Sequence, residues 1–199
     1  QAYVNGEWVG ADNGATHPVT NPATGEQIGT IPDMGVAEAR RAIECANAAW
    51  PTWRKMTAKE RAGIMRKWFD MMMAAQDDLG AKGEIAYGAS FIEWFAEEAK
   101  RAYGDTIPGH QPDKRILVLR EPIGVCTAIT PWNFPNAMIT RKVAPALAAG
   151  CPVVIRPASS TPFSAFAIAE LADRAGFPPG VVNVITSKTN TSDVGKELC

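Results

Sequence analysis

A hydrophobic run, Val125 to Ile129, leads directly into Thr130-Pro131-Trp132-Asn133-Phe134-Pro135, and no other segment constrains the fold as strongly. Proline removes a backbone donor and disfavours helical geometry in the residue before it, so a buried strand must stop here at a rigid turn. A helical pattern then runs from about Phe134 to Ala149 and ends at Gly150. Strand Pro152–Ile155 follows. Thr161 is placed to cap a further helix with Pro162 in its first turn and Gly176 past its end. Strand Val181–Ile185 closes the series. Such alternation predicts an α/β fold, a parallel sheet with helices on its faces, too short for a complete doubly wound domain. Ligands in these sheets bind beyond the C-terminal strand ends, where the turn delivers the uncharged amide of Asn133.

The preceding sequence has a different texture. Residues 1–32 hold two strand-like pieces, Tyr3 to Val9 and Gln27 to Ile31, around a turn at Asn21-Pro22-Ala23-Thr24-Gly25. Val36, Ala39, Ala42, Ala46, Ala49 and Trp50 recur at helical spacing. Thr57 and Glu60 form a capping-box pattern opening a second helix, with Met65, Trp68, Phe69 and Met72 apolar. A third helix, about Lys82 to Ala102, is expected to bury Ile85, Ala89, Ile92, Phe95 and Ala99. Ile116 to Arg120 reads as a strand and Glu121-Pro122-Ile123-Gly124 as a break. Three segments follow: 1–109, 110–124 and 125–199.

Composition narrows the function. A formal net charge of −1, with 46% hydrophobic and 21% charged residues, gives no reason to expect nucleic acid or a membrane surface as partner. The longest apolar run, Val143 to Ile155, contains two prolines and is too short to span a bilayer. No secretory signal opens the chain, and a cytoplasmic location is expected. Cys45, Cys126, Cys151 and Cys199 show neither a disulfide framework nor metal-ligand spacing. His17 and His110 lie in loop-like contexts. The start at Gln1 and the stop at Cys199 read as an excerpt of a longer protein.

Three residues are candidates for chemistry. Asn133 can donate its amide to a developing oxyanion, or it can be the N-cap of the following helix. If that helix begins near Asn133, then Asn133, Ala137 and Arg141 share one side, and Arg141 can bind a substrate carboxylate; alternatively Arg141 and Lys142 are a solvated patch. Arg156, at a strand end with Ser159 and no nearby carboxylate in sequence, suits a ribose 2′-phosphate. It can equally be an exposed Arg at a capped helix start.

Ile129-Thr130-Pro131-Trp132-Asn133-Phe134-Pro135 and Pro145-Ala146-Leu147-Ala148-Ala149-Gly150-Cys151, taken together, resemble the aldehyde dehydrogenase superfamily. Arg156-Pro157-Ala158, Thr161-Pro162 and Ala175-Gly176-Phe177-Pro178-Pro179-Gly180 extend the resemblance. Phe91 to Arg101 and Met138-Ile139-Thr140-Arg141-Lys142 are similar to its succinate-semialdehyde dehydrogenase branch. The resemblance implies an incomplete Rossmann-like parallel sheet flanked by helices, a strand/helix region before it, and a projecting oligomerisation strand around Ile116–Leu119. It implies aldehyde oxidation with NADP, NAD being possible, in a homo-oligomer. Asn133 matches the oxyanion donor. Ile129, Thr130, Pro131 and Trp132 match the nicotinamide end of the cofactor site, and Arg156, Ala158 and Ser159 its adenosine-ribose end. Phe134 and Arg141 match the aldehyde tunnel, with Arg141 facing a distal carboxylate.

The departures carry expectations of their own. The family usually has Lys where Arg156 stands. Gly80 alone bridges Leu79 and Ala81, where the family runs through a further helical stretch. The family's nucleophilic Cys and general-base Glu would lie beyond Cys199, which does not match the nucleophile. The 199-residue chain is therefore expected to be inactive alone, the alternative being a non-catalytic oligomerisation or nucleotide-binding module.

Overall fold

Asn5-Gly6 splits the first strand-like piece in two. Asn5 (φ 55°) and Gly6 (φ 82°) both take positive φ, the geometry of a tight hairpin turn. β1 (Ala2–Val4) and β2 (Glu7–Val9) therefore pair antiparallel, with Tyr3 opposite Trp8. The computed structural model describes residues 1–80 and 82–199; Ala81, beside the apparent deletion, lies outside the described residues.

β3 (Thr16–Thr20) and β4 (Gln27–Pro32) form a separate two-stranded sheet, their connection closed by a hydrogen bond from Gly25 N to Asn21 O. His17 thus sits in a strand, not a loop. Thr-His-Pro-Val-Thr buries only Val19, so no alternation marks it.

α1 (Val36–Lys55) runs past Trp50 and through Pro51, carrying Trp53 into the core, where its indole donates to Leu147 O at 3.2 Å. α2 (Ala58–Ala74) opens on the expected capping box: Thr57 and Glu60 exchange hydrogen bonds. Trp68 donates to Ile168 O at 3.1 Å, and Phe177 packs against both indoles at centroid distances of 5.3 Å. Arg61 of α2 is buried and donates to Met56 O and Ala148 O, carbonyls at the C-terminal ends of two helices, where the dipole favours a cation. The short α3 (Gln76–Leu79) precedes Gly80 at φ 124°. α4 (Lys82–Glu98) continues as one 3₁₀ turn, Ala99–Arg101.

β5 (Asp105–Pro108) and β6 (Arg115–Val118) pair antiparallel as a ribbon exposed along its whole length. The expected strand thus starts one residue earlier, ends before Leu119, and has a partner on the near side of residue 109.

β7 (Cys126–Ile129), α5 (Ala137–Ala149), β8 (Val153–Arg156), α6 (Phe163–Ala175) and β9 (Val182–Val184) give the alternating half, and α7 (Thr191–Glu197) follows. The sheet order is β2-β1-β9-β8-β7. β7, β8 and β9 are parallel as expected, but β1 joins β9 antiparallel, so the sheet is mixed rather than wholly parallel. The N-terminal hairpin occupies the edge that β9 would otherwise leave open. Successive residues of β8 face opposite sides: Val153 and Ile155 pack with α2, α4, α5 and α6 side chains, Val154 with those of α1 and α7.

Candidate functional site

At the C-terminal edge of the sheet, Ile129 pairs with Arg156, and Thr130 N extends the ladder by donating to Arg156 O at 3.1 Å. The segment assigned to the nicotinamide end and the residue assigned to the ribose therefore leave adjacent strands side by side. Thr130 is buried, while Pro131, Trp132, Asn133 and Phe134 form an exposed turn.

The helix after this turn begins at Ala137, not near Phe134, and its N-cap is Asn136. Asn133 is therefore not the cap, and its side chain makes no hydrogen bond among the described residues. Two prolines flank a bent turn, and the first helical bonds close only after it, Met138 N to Phe134 O and Thr140 N to Asn136 O. The inferred side shared by Asn133, Ala137 and Arg141 fails for the same reason: only the latter two lie on the helix.

Arg141 is exposed, and its guanidinium lies over the ring of Phe91 from α4 at 5.1 Å. That ring meets Tyr87 edge-on at 4.9 Å. Nη1 of Arg141 contacts Met138 Sδ at 3.7 Å. Among the described residues no carboxylate pairs with Arg141.

Arg156 departs from the exposed-Arg alternative: it is 8% exposed. Nη2 donates to Ser187 O at 3.3 Å, and Nε has no partner among the described residues. Burial pulls its pKa down, with no counter-charge in reach to raise it again. Thr161 Oγ1 and Ser187 Oγ, on the loops after β8 and β9, are likewise buried without partners. Thr161 does not cap α6, whose N-cap is Pro162. Ser159 lies with His17, Ser160 and Lys188 around a small cleft of about 160 Å³, and Ala158 O accepts from Thr161 N at 3.1 Å. A larger cleft, about 570 Å³, opens between Trp132, Pro135 and Phe163.

Cys126 and Cys151 stand at the opposite edge of the sheet. Burial, together with the neighbouring Cys151 thiol, pushes Cys126 up to about 11, so it stays a thiol at neutral pH.

The chain matches the aldehyde dehydrogenase family over residues 8–199. The chain belongs to that family. It is 64% identical to the glutarate-semialdehyde dehydrogenase of Pseudomonas putida and 61% identical to the succinate-semialdehyde dehydrogenase [NADP(+)] GabD of Escherichia coli. Both comparisons cover 100% of this chain but only 44% and 43% of those relatives. The succinate-semialdehyde dehydrogenase from Burkholderia pseudomallei superposes with a TM-score of 0.96 at 59% identity, over 100% of this chain and 43% of that one. The chain thus spans less than half the length of the curated relatives it matches, an aldehyde dehydrogenase sheet that is partial.

Glu84, Gly88 and Asn136 escape a reading of the sequence. Glu84 Oε1 accepts from the backbone N–H groups of Asn136 and Ala137, so the helix cap comes from another helix. No local pattern marks such a cap; the one signal available is a glycine a turn after a glutamate on a helix otherwise apolar on that face. Asp33 is the other omission. It accepts from Lys188 N at 2.7 Å and from Thr189 N at 3.1 Å, tying down the loop that follows Ser187.

Proposed function

We propose that this chain is the N-terminal, coenzyme-binding part of a longer, NADP-preferring semialdehyde dehydrogenase whose substrate carries an anionic group at the end remote from the aldehyde. The observation that carries the reading is the buried guanidinium of Arg156 at the end of β8, which has no carboxylate partner and leaves Nε free among the described residues, with Ser159 and Thr161 on the loop after β8 and Ser187 on the loop after β9. When bound there, NADP+ supplies the hydride acceptor for aldehyde oxidation. Arg156 and Ser159 hold the phosphate of its adenosine ribose, and Ile129 to Trp132 line its nicotinamide end. Ala158 lets the chain pass close to the ribose.

At the reacting carbon the amide of Asn133 donates to the oxygen as negative charge develops there. Phe134 walls the aldehyde tunnel, and Arg141 binds the distal carboxylate with its planar fork. Two relatives bear the names glutarate- and succinate-semialdehyde dehydrogenase, substrates with a carboxylate at that far end; we assign succinate semialdehyde. The attacking thiolate and the water-activating carboxylate are supplied by sequence beyond residue 199 in the family pattern, and the β5–β6 ribbon is assigned to association between subunits.

The decisive experiment is nucleotide titration of the chain, followed by tryptophan fluorescence, with NADP+ and NAD+ compared. NADP+ binds the more tightly if the assignment holds, and equal affinities overturn it. The isolated chain produces no NADPH from succinate semialdehyde; measurable turnover would place the nucleophile within these residues instead.

A further inference from the structure

An oxyanion donor contributes to rate only when it is held in place before the reaction begins. Among the described residues Asn133 has no hydrogen bond of its own to hold it, and its turn is exposed on the protein surface. What anchors the turn comes from α4. One oxygen of the Glu84 carboxylate accepts hydrogen bonds from Asn136 N at 2.7 Å and Ala137 N at 3.0 Å. These belong to the donors that a helix leaves free at its N-terminus, where the dipole also favours a negative charge. No side chain of the cap residue itself serves them.

A second contact lies one turn along α4. A Cβ at Gly88 would stand 2.1 Å from Asn136 Oδ1 and 3.3 Å from the Ala137 Cα, so any larger residue there would displace the Asn136 side chain and crowd the start of α5. Residues 84 and 88 lie on one face of α4. The Asn136 side chain, 1% exposed, is enclosed there. Met138 N closes the turn from the other side by donating to Phe134 O at 2.9 Å, and Asn133 immediately precedes Phe134. Where α5 begins therefore decides where Asn133 stands, and Glu84 with the notch at Gly88 decides where α5 begins. A cap from within α5 would satisfy the same donors without registering that helix against α4.

We propose that Glu84 is a positioning residue for aldehyde oxidation, acting through the Asn133 turn. The proposal rests on the assignment of Asn133 as oxyanion donor, so the test must separate the two. In the complete enzyme, Asn133→Ala, Glu84→Ala, Glu84→Gln, Gly88→Ala and the Glu84→Ala/Asn133→Ala double variant are compared by kcat, KM for the aldehyde and NADP+ affinity. Asn133→Ala is expected to lower kcat by about 100-fold or more. Glu84→Ala is expected to lower kcat by about 10- to 100-fold, the effect of a small misplacement, with KM and NADP+ affinity little changed. Glu84→Gln keeps an acceptor oxygen and recovers most of the loss. Gly88→Ala, which leaves the carboxylate intact but crowds Asn136, reproduces the Glu84→Ala pattern. The double variant is no slower than Asn133→Ala alone. Losses that multiply in the double variant would show that Glu84 acts elsewhere and overturn the proposal. Loss of NADP+ affinity together with kcat in both Glu84→Ala and Gly88→Ala would reduce the pair to general structural support and overturn it too. Full kcat in Asn133→Ala would instead remove the oxyanion assignment on which it rests.

Discussion

The Nη2 of Arg156 donates to the carbonyl of Ser187 at 3.3 Å, tying the end of β8 to the loop after β9 while its Nε stays idle. One hydrogen bond does not compensate a guanidinium for leaving water, and the lowered pKa records that cost. Arg156→Met, similar in length and uncharged, is therefore expected to leave the thermal midpoint unchanged or raised. The same substitution should weaken NADP+ binding by about 10- to 100-fold, the range for hydrogen bonds to a charged group. Differential scanning fluorimetry and nucleotide titration on one preparation check both halves.

Asp33 supports that site from a distance. Burial raises its pKa, but hydrogen bonds from Lys188 N and from Thr189 outweigh it and hold the carboxyl below its ordinary 3.8. A depressed carboxylate contributes stability that is present above the unfolded value and lost as pH falls through the folded one. Asp33→Ala should therefore flatten the acid limb of the stability curve below about pH 4. It should also weaken NADP+ binding several-fold, though Asp33 lies outside the assigned contacts.

The alkaline limb has a different origin. Burial and the Cys151 thiol raise Cys126 from 9.0 to about 11. Burial and the bond to Asp173, 2.7 Å, raise the Tyr3 phenol further. Both groups bind protons more tightly folded than unfolded, so their contribution is complete below pH 9 and is lost as pH rises. Urea unfolding at about pH 7.5, 9 and 10.5 should show stability falling only across the upper interval, and Cys126→Ala with Tyr3→Phe should flatten the fall.

The β5–β6 ribbon and its continuation expose Leu117 and Leu119 at 69% and 70%. Exposed apolar side chains on a ribbon with free edges invite pairing with another chain. Leu117→Lys with Leu119→Lys should shift the sedimentation coefficient of the complete enzyme towards the monomer, with circular dichroism unchanged. An unaltered oligomer would assign association to another surface.

Much of the fold was legible in the sequence. Helical periodicity marked α2 and α4, because a helix that buries one face must repeat its apolar residues at the period of its backbone, whereas unbroken apolar runs bounded by proline and glycine marked the parallel strands, of which β8 and β9 are buried at every residue. The capping box at Thr57 and Glu60 was legible for a similar reason: both partners lie within one turn. β3 was not, because Thr16 to Thr20 buries only Val19. The Asn5-Gly6 hairpin carried a usable signal, an Asn-Gly pair between apolar residues.

By itself the sequence determined the alternating half of the fold and marked Asn133, Arg141 and Arg156 as the residues to watch, since strand-ending prolines and helix periods are local properties. Only the tertiary structure decided that Asn133 lies before the helix rather than capping it, that Arg156 is buried without a counter-charge, and that Arg141 rests on Phe91. It also decided that Glu84, distant in sequence, caps α5. These depend on which surfaces meet across the sheet and between α4 and α5, and close approach of distant segments leaves no periodic trace in the chain.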